Sequence, residues 1–93
     1  MRESVEQLPN RVTMDSILKK IKSTEYIRLK DGKTTICNVT LENGYSVRGE
    51  SACVDPGQFN LALGEKYAFE QAIDKIWPLE GYLLQELRYK AGV

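Results

Sequence analysis

Ninety-three residues with 42% hydrophobic content are enough for one modest core, so the chain reads as a single domain, residues 1–93. Thirteen basic and thirteen acidic residues cancel, which removes the net positive field that drives non-specific nucleic-acid binding. The chain has no histidine, which excludes a Ser–His or Cys–His couple within it and the commonest general base near neutral pH.

Residues 1–11 are polar, carry both charge signs and hold Pro9, so they read as a flexible arm. The first thirty residues contain no apolar run of the length of a signal peptide or membrane span, because charges interrupt every stretch. Cys37 and Cys53 are accordingly expected as reduced thiols in a cytoplasmic protein.

Thr13 stands where an N-cap belongs, Asp15 suits the first turn, and Val12 can staple against Ile17. Met14, Ile17, Leu18 and Ile21 then recur at helical spacing, which predicts a helix over 14–22. Residues 25–30 and 34–41 read as strands joined at Asp31-Gly32. The next connection fixes a register. A two-residue Asn43-Gly44 loop would set Val39 opposite Arg48, mixing apolar with polar on one face. A three-residue loop, Glu42-Asn43-Gly44, with Gly44 in the left-handed region pairs Leu41 with Tyr45, Val39 with Val47 and Cys37 with Gly49. All of these except glycine are then expected on a buried face.

Residues 50–57 lack periodicity and read as a loop or strand end. Asp55 before Pro56 suits a short helical turn, and Asn60 offers a second helix start. Ala68, Phe69, Ala72, Ile73 and Ile76 predict a helix over 61–76, weakened locally by Gly64. Pro78 is expected to end or bend it at Trp77, and Leu79, Leu83, Leu84 and Leu87 predict a last helix over 79–90. The expected fold is α+β: an N-terminal helix, a three-stranded antiparallel meander, and two C-terminal helices packed on the sheet.

Cys37, Thr40-Leu41, Asn43-Gly44-Tyr45, the block Gly49-Glu50-Ser51-Ala52-Cys53 with Asp55-Pro56, and the run Ile76-Trp77-Pro78-Leu79-Glu80-Gly81-Tyr82-Leu83-Leu84 occur in a telling order and spacing. With these motifs the stretch from Thr35 to Leu84 resembles a family of small, mostly uncharacterised proteins of tailed bacteriophages and prophages. The resemblance implies an accessory protein acting in the cytoplasm of the infected bacterial host, and it brings no catalytic residue with it.

Two regions are candidate sites. Arg48, Glu50, Ser51, Cys53, Asp55 and Asn60 cluster polar groups where sheet gives way to helix, and main-chain N–H groups at a turn start can hold an anion. The same residues also serve as caps and turn formers, so both readings stand. Trp77, Tyr82 and Tyr89 with Leu79, Leu83, Leu84 and Leu87 offer more large apolar surface than a short helix buries, which suits either core or an interface, and Trp77, Tyr82, Leu83, Leu87 and Tyr89 are the interface candidates among them. Two cysteines without histidine fall short of a four-ligand zinc site, and neither metal nor cofactor is expected.

The expected function is stoichiometric binding that inactivates a host factor. The partner is a host protein or a small nucleotide, with the chain as a homo-oligomer that in one form sequesters a nucleotide immune signal. The alternatives are a small enzyme using Ser51 or Cys53 as nucleophile and a nucleic-acid-binding module, the latter disfavoured by the zero net charge.

Overall fold

A computed structural model describes residues 9–93. Its elements are α1 (Met14–Lys19), β1 (Ile21–Arg28), β2 (Thr34–Leu41), β3 (Ser46–Ala52), a 3-10 turn (Pro56–Gln58) and α2 (Leu61–Lys90). The α+β class and the antiparallel meander β1-β2-β3 are as expected. Of the expected arm, only residues 9–11 are described.

Helix α1 starts where its cap dictates. Thr13 Oγ1 accepts from the Ser16 N–H at 3.1 Å, and Ser16 Oγ accepts from the Thr13 N–H at 3.1 Å, a reciprocal capping box. The helix is shorter than its apolar spacing predicts. Ile21 pairs with Leu41, and the Lys20 carbonyl accepts from the Glu42 N–H at 2.8 Å, so sheet pairing takes the chain from residue 21 onward. β1 therefore begins four residues earlier than expected, with a bulge between Ile21 and Ser23.

The β2–β3 register is the expected one: Val39 faces Val47 and Cys37 faces Gly49. Gly44 has φ +91°, and the Leu41 N–H donates to the Tyr45 carbonyl at 2.8 Å. Cys37, Val39, Leu41 and Val47 are buried, but Tyr45 is 56% exposed. This corrects its expected burial: Tyr45 lies at the hairpin tip beside a hollow that none of the described residues fills. β3 runs on to Ala52, through residues expected as loop or strand end.

Helix α2 packs on β2 and β3 and leaves β1 without helical cover. Its close approach depends on small residues. A Cβ at Gly49 would stand 2.2 Å from the Ala68 carbonyl oxygen and 2.4 Å from the Ala72 nitrogen, so glycine on the sheet and alanines on the helix fit one another. The core is Ile17, Cys37, Val39, Leu41, Val47, Ala68, Ala72, Ile73 and Ile76, with Val12, Ile21, Phe69 and Trp77 packed at its margin.

The two expected C-terminal helices are one. Pro78 lies inside α2, exposed to solvent and about 160° round the helix from Ile76, whose side chain is fully buried. Proline removes the N–H that would bond the Asp74 carbonyl, but both residues are exposed, so that oxygen is open to solvent and the helix continues. Thirty residues at 1.5 Å each give a rod of about 45 Å, within a molecule 55 Å in its longest dimension.

Candidate functional site

The six residues from Arg48 to Asn60 are not one site. Strand alternation turns Arg48 and Glu50 to the face away from α2 and Ser51 toward it. Arg48 Nη1 donates to Asn38 Oδ1 at 3.1 Å and to Ser46 Oγ at 3.3 Å. Glu50 is exposed at the free edge of β3, where its main-chain N–H donates to Gln71 Oε1 at 2.7 Å. With Ile36, Gln71 and Lys75 these two line a shallow hollow.

Ser51, Cys53 and Asn60 line a separate cleft of about 170 Å³ with Lys33, Phe59 and Tyr67. Their polar groups have internal partners. Ser51 Oγ donates to the Gly64 carbonyl at 2.6 Å, and Cys53 Sγ donates to the Asp55 carbonyl at 3.3 Å. Asp55 Oδ1 accepts from the Gly57 N–H at 2.9 Å, capping the 3-10 turn, and Asn60 Oδ1 accepts from the Leu63 N–H at 3.1 Å, capping α2. The Ser51 hydroxyl thus faces a carbonyl oxygen, with no carboxylate in position to take its proton. No group of three or more His, Cys, Asp or Glu side chains among the described residues is placed to hold a metal ion.

Burial pushes the Cys37 thiol up from its ordinary range, and with Cys37 fully buried under α2 the thiol stays neutral and inert. Tyr26, opposite Cys37 on β1, is raised by desolvation first, then by the charges of Cys37 and Glu65.

The second candidate region is where the unfilled surface lies. Past Ile76 the helix leaves the sheet behind, and Leu79, Leu83 and Leu87 continue the face that carries Ile73 and Ile76 into the core. Beneath them are two hollows of about 530 and 440 Å³. One is walled by Leu41, Glu42, Asn43, Tyr45, Leu79 and Leu83, the other by Pro9–Thr13, Leu84 and Leu87. Between them Lys20 Nζ reaches Glu80 Oε2 at 2.9 Å. Glu80 is only 8% exposed. Arg88 Nη1 donates to the Pro9 carbonyl at 3.0 Å and ties the helix end to the N-terminal segment.

Of the expected interface residues, Trp77 packs at the core margin, while Leu83 and Leu87 are exposed on the inner face. Tyr82 and Tyr89 are the most open, at 72% and 74%, and stand about 100° or more round the helix from Leu83. Sequence reasoning missed Tyr45 and the Lys20–Glu80 pair as parts of this region. The usable signal was the four-residue spacing of Leu79, Leu83 and Leu87, with one carboxylate set inside the stripe.

Fold and surface together define a small α+β protein in which one long helix crosses a three-stranded meander and projects beyond it. Residues 12–87 match the model of the phage protein (N4 Gp49/phage Sf6 gene 66) family, and the chain belongs to that family. No curated protein and no solved structure matches it. No helix of the described residues is long and apolar enough to cross a membrane.

Proposed function

We propose that this phage protein acts in the cytoplasm of the infected bacterium by stoichiometric binding that inactivates a host protein, and that the target docks on the outer face of the projecting part of α2. The observation that carries the reading is the pair Tyr82 and Tyr89, two aromatic side chains more than 70% open on a helix whose other faces are buried or turned inward. Tyrosines of this kind favour interfaces because each presents a large apolar body and a polar tip.

Sequestration of a nucleotide signal is the narrower form of this reading, with the cleft at Lys33, Ser51 and Asn60 as its place. Two features count against that form: a volume of about 170 Å³ is small beside the roughly 300–1,000 Å³ usual for ligand pockets, and Ser51, Cys53 and Asn60 already have partners within the chain.

The test is capture from infected cells by the tagged full chain and by a Tyr82→Ser/Tyr89→Ser variant, with proteins and small molecules both identified. The reading expects a host protein retained in near-stoichiometric amount by the parent chain and lost by an equally folded variant. Retention unchanged by the double substitution, or recovery of a nucleotide alone, rejects it.

A further inference from the structure

The inner face of the projecting helix differs from its outer face in one respect: it is a direct extension of the core stripe. Ile73 and Ile76 are buried against the sheet, and Leu79, Leu83 and Leu87 carry the stripe on over hollows that no part of the described chain fills. Leucines at i, i+4 and i+8 form a single ridge, the pattern that interdigitates with an identical ridge on a second helix. The molecule is also stretched. Its radius of gyration is 16.7 Å, where a compact chain of this length has about 12 Å.

We infer that a second copy of the chain covers this face, the two α2 helices crossing antiparallel about a two-fold axis near Leu83. Charge selects this occupant and this orientation. The exposed face of the ridge ends at Lys90, whose ion pair among the described residues is an i−4 contact of 3.7 Å to Glu86. Beside the other end, in the wall of the Tyr45 hollow, stands Glu42, which has no ion pair among the described residues. An antiparallel crossing at Leu83 sets Leu87 of each copy against Leu79 of the other and carries each Lys90 toward the opposite Glu42. A parallel crossing brings Lys90 to Lys90. The two hollows are lined by sixteen residues in all, close to the roughly twenty or more that a standard interface uses on each side. Tyr45, at 56% exposure, gains a partner in the same step.

This inference goes beyond the host-target reading and stands apart from it, because Tyr82 and Tyr89 lie on the outer face and stay free in such a dimer. Sedimentation equilibrium on the full chain decides it. The expected mass at roughly 50 µM is twice the chain's 10.6 kDa. Leu83→Asp is expected to weaken the dimer about 30-fold or more while leaving the helical circular dichroism intact, since Leu83 is open in the single chain. Lys90→Glu and Glu42→Lys are each expected to weaken it about threefold, and the two together to restore it; these variants keep the test informative if Leu83→Asp does not fold. A monomer at every concentration, a larger assembly, a dimer indifferent to Leu83→Asp, or charge variants that fail to rescue each other would overturn the inference. A host protein still captured by a monomeric chain leaves the target reading untouched.

Discussion

The Lys20 ammonium sits 2.9 Å from Oε2 of Glu80, joining the turn that ends α1 to the helix that projects past the sheet, sixty residues further along the chain. Glu80 is nearly buried and Lys20 about half exposed, so the two ends of the bridge are unequal. Removing the lysine strands a carboxylate in an apolar hollow, whereas removing both charges strands nothing. Lys20→Met is expected to cost about 1–2 kcal/mol, discounted from a fully buried pair because solvent reaches the ammonium. Lys20→Met/Glu80→Leu is expected to recover most of that loss. Urea unfolding of the three proteins measures it; a double variant weaker than the single one speaks against the account.

Gly49 is the position where the helix backbone comes nearest the sheet. An alanine there must push the Ala68 and Ala72 region of α2 away, opening the packing of Ile73 and Ile76 along with it. Gly49→Ala is expected to lose about 3 kcal/mol or more, a large share of the stability of a small domain. A thermal midpoint equal to that of the parent chain would show that the helix does not bear on the strand as described.

Pro78 breaks one helical hydrogen bond on the solvent side without ending α2. Pro78→Ala restores the donor to the Asp74 carbonyl, and a gain of about 1 kcal/mol is expected, less than the full proline penalty because the fold already accommodates the ring on its solvent side. Denaturation with helical content followed in parallel tests this. A marked loss of stability means that the backbone shape Pro78 imposes is needed to seat Trp77 and Leu79.

The alkaline limb of stability belongs to Cys37 and Tyr26. Both have folded values raised above their ordinary ones, so both favour the folded state while neutral. Their contribution is complete below the unfolded values, near 9.0 for the thiol and 10.0 for the phenol, and is lost as pH rises through the raised folded values. Stability is therefore expected to fall above about pH 9, and Cys37→Val to flatten the first part of that fall. In the folded chain a thiol reagent is expected to label Cys53 and to reach Cys37 only on unfolding. Equal labelling rates for both would contradict the burial of Cys37.

What the sequence disclosed follows the range of the forces involved. The caps at Thr13, Asp55 and Asn60 bond within three residues, and the Val39–Val47 register follows from a three-residue loop and strand alternation, so all were legible. Two features depend on where α2 lies across the sheet and a third on pairing between strands far apart in the chain, and no local pattern contains either. Pro78 falls on its solvent side, Tyr45 falls beyond its cover, and pairing of the Lys20 carbonyl with Glu42 shortens α1. The same limit governed the candidate site. Arg48 to Asn60 are neighbours in sequence, but alternation sends them to opposite faces and capping occupies Asp55 and Asn60. Tyr82, Leu83, Leu87 and Tyr89 were legible as surplus apolar residues, whereas Tyr45 and Lys20 join that region only through the fold.

Hydrogen–deuterium exchange on the chain, free and bound to what it captures from infected cells, tests most directly whether the projecting helix is the working surface. The account predicts slowed exchange confined to residues 79–90 on binding, with residues 48–60 unchanged. Slowed exchange at 48–60 with the helix end unchanged would contradict it.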